Sequence, residues 1–212
     1  MKTHNASPRV IAFATTSILA GALFSSRAGF IVLDTFGPGD TYNASVGYNI
    51  STSGSSSKIQ QSVAVSFTPG VSQNLAGLTL ATYRLDGIDS ITVEVVEDIG
   101  GLPNGPVLES FSGLLSAGVQ SFSSASNPLL AAGTTYWVTV LPGGSDTCGA
   151  WYLNNRALYG SMAFNSALGI WEGPTPDYFP ALRVEVVPEM ESSACVAALG
   201  LLGFGIWRRV RR

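Results

Sequence analysis

The sequence predicts an all-β domain between residues 29 and 186, folded as an antiparallel two-sheet β-sandwich or jelly roll, and three observations predict it. Apolar residues recur at every second position in short runs, as at Val63, Val65 and Phe67, which is the period of a half-buried strand. Glycine, proline, asparagine and aspartate occupy the breaks between these runs. No stretch of the region keeps the 3.6-residue period of an amphipathic helix.

The predicted strands follow one another along the chain, and each ends at a turn. They cover residues 61–68, 75–85, 90–97, 107–111, 119–123, 134–141, 150–154, 161–165 and 181–186. Turn residues lie at 68–70, 85–87, 100–106, 141–144 and 173–176. Many short strands separated by such turns are typical of sandwiches, and the 158 residues from 29 to 186 are enough for one domain with its own core.

The region before the first predicted strand has a different composition. Residues 37–57 are rich in Gly, Ser, Thr, Asn and Tyr and carry almost no charge. They show no apolar alternation that would direct one face to a core. We therefore expect residues 29–57 to form a loop-rich arm.

The first 28 residues have the composition of a secretory signal peptide. Lys2 and Arg9 come early, residues 10–24 are apolar and uncharged, and Ser26 and Ala28 place small residues at the −3 and −1 positions of a cleavage site. We predict that the chain is exported and that residues 1–28 are removed. The alternative is a retained N-terminal helix.

Residues 187–212 combine a Val-Pro-Glu motif, an uncharged apolar run at 192–207 and a basic end. The basic residues are Arg208, Arg209, Arg211 and Arg212. A helix over 192–207 would rise about 24 Å, slightly less than the ~30 Å hydrocarbon core of a bilayer. The arginines would remain on the cytoplasmic side. We predict one transmembrane helix, since the alternative of a buried core helix would show a polar face that this run lacks.

The order of Val187, Pro188 and Glu189, the apolar run and the terminal arginines matches a known sorting signal. The tail resembles the PEP-CTERM signal of Gram-negative bacteria, with Met190 where that family usually has a second proline. The resemblance implies transient anchoring in the inner membrane with a cytoplasmic C-terminus. It also implies recognition by an exosortase, cleavage near the motif, and release or attachment at the cell surface, in species that make exopolysaccharide.

A second resemblance covers residues 63–186. The run 90–97 is followed by Asp-Ile-Gly-Gly-Leu-Pro-Asn-Gly, and residues 130–138 are Leu-Ala-Ala-Gly-Thr-Thr-Tyr-Trp-Val. Trp151 and Asn154 follow at matching positions. In these features the region is similar to the choice-anchor β-sandwich domains that precede such sorting tails. The resemblance implies a β-sandwich, and that family carries no established catalytic residues.

Charge and residue usage exclude several classes of function. Residues 29–186 hold twelve carboxylates and four basic residues, a formal charge of −8, whereas the whole chain carries −3. Nucleic acid is therefore not an expected partner, because phosphate binding needs a basic patch. The only histidine, His4, lies in the predicted signal peptide, which excludes Ser/His/Asp and Cys/His catalysis and His-ligated zinc from the mature protein. We expect no catalytic residue, no metal and no cofactor.

Aromatic residues concentrate late in the domain and suggest a second type of function. Sugar-binding surfaces pack the apolar face of a pyranose on an aromatic ring, with amides nearby for the hydroxyls. Trp151, Tyr152, Asn154 and Trp171 are the candidate glycan-binding residues. The alternative is that these rings fill the sandwich core. A glycan hydrolase using Glu172 and Asp177 as its acid pair is the less favoured third possibility.

The sequence as a whole predicts a non-enzymatic exported protein. It would be anchored in the inner membrane and then left at the cell surface or secreted. Its expected partners are an exosortase-type enzyme and the membrane, with extracellular polysaccharide as a further candidate. The alternative function is an extracellular carbohydrate-binding module.

Overall fold

The computed structural model describes residues 29–116, 118–166 and 169–188, and in that part of the chain it is all β. The predicted signal peptide and the tail from Glu189 onward, including the apolar run 192–207 and the terminal arginines, lie outside the described residues. The strands are β1 (Phe30–Asp34), β2 (Asn43–Ser51), β3 (Ser62–Phe67), β4 (Gln73–Asp86), β5 (Ser90–Glu97), β6 (Val107–Leu114), β7 (Gly118–Ser123), β8 (Leu129–Leu130), β9 (Tyr136–Pro142), β10 (Cys148–Leu153), β11 (Tyr159–Asn165), β12 (Trp171–Tyr178) and β13 (Leu182–Pro188).

Two antiparallel sheets pack as a sandwich, which confirms the predicted fold class. One sheet has the order β1-β13-β4-β10-β2, with β7 and β8 also paired to β4. The other has the order β12-β11-β3-β9-β5-β6. The long strand β4 joins the first sheet together, because its Gln73–Leu80 part pairs with β13 and its Thr82–Asp86 part pairs with β10.

The main core lies between the sheets and uses alternate residues of the strands. Leu78, Leu80 and Val184 come from the first sheet, and Val63 and Val138 from the second, all at most 1 % exposed. Two smaller apolar clusters lie on the opposite, outward faces of the sheets. Phe36, Ala81 and Ala181 form one, and Ala64, Trp137 and Ala163 form the other. The alternation that predicted the strands therefore places side chains on both faces of each sheet.

The nine predicted strands all match observed ones within a few residues, but two expectations for irregular structure were wrong. The expected arm 29–57 contains β1 and β2, and Ile50 and Ser51 at the end of β2 are fully buried. The expected turn 173–176 lies inside β12. β12 pairs only with β11 among the described strands, so its prolines sit on a sheet edge, where proline is tolerated.

The last described residues form a paired strand. Val187 and Pro188, the first two residues of the predicted sorting motif, belong to β13 and lie opposite Asn74 and Gln73 of β4. The paired strand therefore extends two residues beyond the predicted domain boundary at 186. Within the described ranges we find no helix with the length and apolarity to cross a bilayer.

Candidate functional site

Trp151 is a core residue, and its prediction as a glycan-binding residue was wrong. It lies in β10 between Tyr48 of β2 and Thr82 of β4. The side chain is fully buried in the main core, and its Nε1–H donates to the carbonyl of Ala181 at 2.9 Å. A sugar cannot reach a ring that has no exposed face.

Asn154 is also structural, because every polar atom of its side chain is already bonded. Its Nδ2 donates to the carbonyls of Leu158 at 3.0 Å and Phe179 at 2.6 Å. Its Oδ1 accepts the backbone N–H groups of Arg156 and Leu158, each at 2.9 Å. The amide closes the connection between β10 and β11 and has no capacity left for a ligand hydroxyl.

Tyr152 faces outward from the first sheet and is half-buried against its neighbours. Tyr42 stacks on it at a centroid distance of 5.1 Å, and Tyr83 lies against it at 5.9 Å. Burial, together with the proximity of Tyr42 and Tyr83, raises the pKa of the Tyr152 hydroxyl. The three tyrosines form an outward aromatic cluster, in which Tyr42 stacks on one face of the Tyr152 ring.

Trp171 lies on the other sheet, so the four predicted residues do not form one site. It begins β12 and packs, half-buried, against the outward cluster of Ala64, Trp137 and Ala163. Trp137 is 1 % exposed and donates from Nε1 to Asp98 Oδ1 at 2.7 Å. Trp137 therefore fills the outward cluster and not the interior of the sandwich.

The candidate acid pair does not have glycosidase spacing. Glu172 and Asp177 are five positions apart in β12, which separates them by about 16 Å along an extended strand. Retaining and inverting glycosidases hold their carboxyl groups roughly 5–9.5 Å apart. Glu172 accepts a hydrogen bond from Ser166, and Asp177 accepts the N–H of Tyr178.

The structure contains a groove that the sequence did not predict. Asn43, Val46, Leu153, Asn154, Asn155, Ala157 and Tyr178 line this space of about 300 Å³. It forms where β2 leaves the ladder: Leu153 pairs with Asn43, the next pair is Tyr152 with Gly47, and residues 44–46 bulge out and are exposed. A Cβ at position 47 would meet the Trp151 carbonyl at 2.6 Å, so glycine allows β2 to return to β10 beside the groove.

One wall of the groove is aromatic. Tyr178 is 39 % exposed, and Tyr159, opposite it in the β11–β12 pair, is 56 % exposed, with ring centroids 4.0 Å apart. Tyr48 donates its hydroxyl proton to the Tyr178 carbonyl at 2.7 Å, which ties the wall to β2. Burial and the nearby Asp177 carboxylate raise the pKa of Tyr48, so the hydroxyl stays protonated and remains a donor.

A second cleft of about 300 Å³ lies on the outward face of the other sheet. Its lining includes Ser66, Asp98, Thr135, Ser161 and Pro174, with the edge of the buried Trp137 beneath. Asp98 already accepts from Trp137 Nε1 and from the N–H of Gly101. The cleft is polar and offers no exposed aromatic face.

No metal-ligating group of three or more His, Cys, Asp or Glu side chains occurs among the residues that the structure describes. Cys148 is buried, and its Sγ contacts the Ser56 hydroxyl at 3.9 Å. No protein-family model matches the chain, and no curated protein matches it.

Proposed function

We propose that this chain is a non-enzymatic exported protein that is delivered to the cell surface or the extracellular polysaccharide matrix by its C-terminal tail. An exosortase-type enzyme would process the tail at the inner membrane. The observation that carries the proposal is the order of three features at the C-terminus: the Val-Pro-Glu motif, sixteen uncharged residues from 192 to 207, and four arginines in the last five positions.

The last described strand supports a tail that is processed separately from the folded domain. Among the described residues, the last pair of the ladder between β13 and β4 joins Pro188 to Gln73. Every core residue of β13, including Leu182, Val184 and Val186, precedes the motif's glutamate. Cleavage after Pro188 would therefore keep all the described strands and their core residues in one chain.

The absence of histidine from the mature sequence supports a non-enzymatic role. Cys148 and the serines lack the imidazole base that activates such nucleophiles in the common hydrolases. Cys148 is in addition buried among core residues. The acidic composition supports solubility outside the cell.

The proposal is tested by fractionating a Gram-negative host that encodes an exosortase and produces the tagged chain. Glu189→Ala is the test variant, and Glu185→Ala in the adjoining strand is the matched control. We expect the Glu189 variant to stay in the inner membrane at higher mass, while the Glu185 variant is processed like wild type. Equal processing of all three proteins, or equal processing after deletion of the exosortase gene, would contradict the proposal.

A further inference from the structure

We propose that the groove between Asn43 and Tyr178 is a binding site for a neutral saccharide. This inference concerns the folded domain and goes beyond its delivery, so it does not depend on how the tail is processed. It rests on three properties of the groove: an exposed aromatic wall, a free amide donor, and a lining without charge.

The aromatic wall supplies the apolar contact. Tyr178 lines the groove directly, and Tyr159 extends the wall on the exposed side. Val46, which is 51 % exposed at the tip of the β2 bulge, adds an aliphatic surface to the lining. The C–H face of a pyranose ring is apolar, and burying it against tyrosine and valine removes both surfaces from water.

Two amides line the groove, and one of them supplies a polar contact. Asn43 Oδ1 accepts the N–H of Ser45 at 3.1 Å, and Asn155 Nδ2 donates to Thr41 Oγ1 at 3.1 Å. The Asn155 amide packs against the turn before β2, because its Oδ1 would lie 2.5 Å from a Cβ at Gly37. Among the residues that the structure describes, Asn43 Nδ2 makes no hydrogen bond. The groove thus presents one donor group, held in place by the oxygen of the same amide, to a sugar hydroxyl.

The lining carries no ionisable group apart from the Tyr178 hydroxyl, and this selects against charged ligands. The nearest guanidinium along the chain, that of Arg156, donates instead to the carbonyls of Asp34 and Phe36. A phosphate or uronate would therefore bury its charge without a partner, which is costly. A volume of about 300 Å³ lies at the lower end of small-molecule sites and suits a short stretch of a glycan.

The other two aromatic surfaces are poorer sites. Tyr152 packs against Tyr42 and Tyr83 on an outward face, and the ring of Trp137 is covered. Compared with these two surfaces, the groove combines a concave shape with exposed ring surface.

The test measures binding to purified full-length protein kept in a detergent without a sugar headgroup. Arrays of neutral oligosaccharides built from glucose, galactose, mannose and N-acetylglucosamine identify the ligand, and isothermal titration calorimetry measures its affinity. Tyr178→Ala is the first test variant. Tyr83→Ala is its matched control, because Tyr83 is equally exposed at 39 % but lies on the other sheet. Asn43→Asp is the second test variant, since it keeps the acceptor for Ser45 and removes the free donor.

We expect affinity to fall at least about tenfold in Tyr178→Ala, as for an aromatic anchor residue, to fall in Asn43→Asp, and to be unchanged in Tyr83→Ala. Equal affinity in all variants would overturn the location of the site. Tighter binding of an acidic glycan such as a uronate oligosaccharide would overturn the neutral ligand class. Absence of binding to every neutral oligosaccharide at millimolar concentration would overturn the inference altogether, with the processing experiment above unaffected.

Discussion

Replacing Trp151 tests whether its ring stabilises the core or binds a ligand. The ring is fully buried and donates one hydrogen bond to Ala181. A buried tryptophan removes roughly 150–250 Å² from water, which at about 25 cal/mol per Å² amounts to about 4–6 kcal/mol. Alanine keeps part of this contact, so we expect Trp151→Ala to lower the free energy of unfolding by about 3–5 kcal/mol. This is a large share of the roughly 5–15 kcal/mol that stabilises a typical domain.

Trp151→Phe keeps most of the apolar contact and loses the indole N–H. The Ala181 carbonyl still accepts the N–H of Ala81 at 3.3 Å, so the phenylalanine variant leaves no buried carbonyl without a partner. We expect it to cost about 1–2 kcal/mol. Urea unfolding followed by near-ultraviolet circular dichroism measures both values. A loss below about 1 kcal/mol for Trp151→Ala, or loss of glycan binding in a fully folded Trp151→Phe protein, would refute the assignment of Trp151 to the core.

Three further predictions concern stability. Asn154→Asp keeps the acceptor oxygen but loses both donated hydrogen bonds, so we expect urea unfolding to show a loss of about 2 kcal/mol; an unchanged midpoint would contradict the role of the amide. Gly87 and Gly39 have φ of 69° and 66°, but only a Cβ at Gly87 would collide with the Asp146 backbone. We therefore expect Gly87→Ala to lower the melting temperature clearly more than Gly39→Ala, which carries only the backbone strain of about 1 kcal/mol for alanine at a positive φ. Equal changes in melting temperature would contradict the close packing of Gly87 on Asp146. Burial alone would raise the pKa of Glu109, but hydrogen bonds from residues 124–126 outweigh it and lower the pKa below its ordinary 4.5. The stability that ionised Glu109 provides is complete above that value and is lost as the pH falls through the lowered pKa. In urea unfolding, the loss of stability caused by Glu109→Gln should therefore be clear at about pH 7 and shrink towards about pH 3. A loss of stability that stays constant with pH would contradict this role of the carboxylate.

The strands that the sequence predicted are those in which one face is clearly apolar. In β5 the buried Ile91, Val93 and Val95 alternate with less buried residues, and the predicted and observed bounds agree. β2 was missed because most of its residues are polar or small and it buries only its last two side chains. β12 was missed because its prolines and glycine are turn signals, and only its position at a sheet edge makes them compatible with a strand.

The alternation of side chains along a strand already separates two of the candidate glycan-binding residues. Trp151 and Tyr152 are neighbours in a predicted strand, so their side chains must point to opposite faces and cannot share one binding surface. The structure has this arrangement, with Trp151 in the main core and Tyr152 in the outward cluster. The groove could not be predicted in the same way. It depends on Asn43 and Tyr178 meeting across two sheets and on a register shift between β2 and β10, neither of which leaves a sequence signal.

The most direct test of the proposed delivery is intact-mass spectrometry of the protein recovered from the surface and medium of an exosortase-bearing host. We predict a mature form that begins at Gly29, after the predicted signal peptide, ends close to Glu189 and has lost all four terminal arginines. A mature surface form that still carries Arg212 would contradict the proposal that the tail is a processed sorting signal.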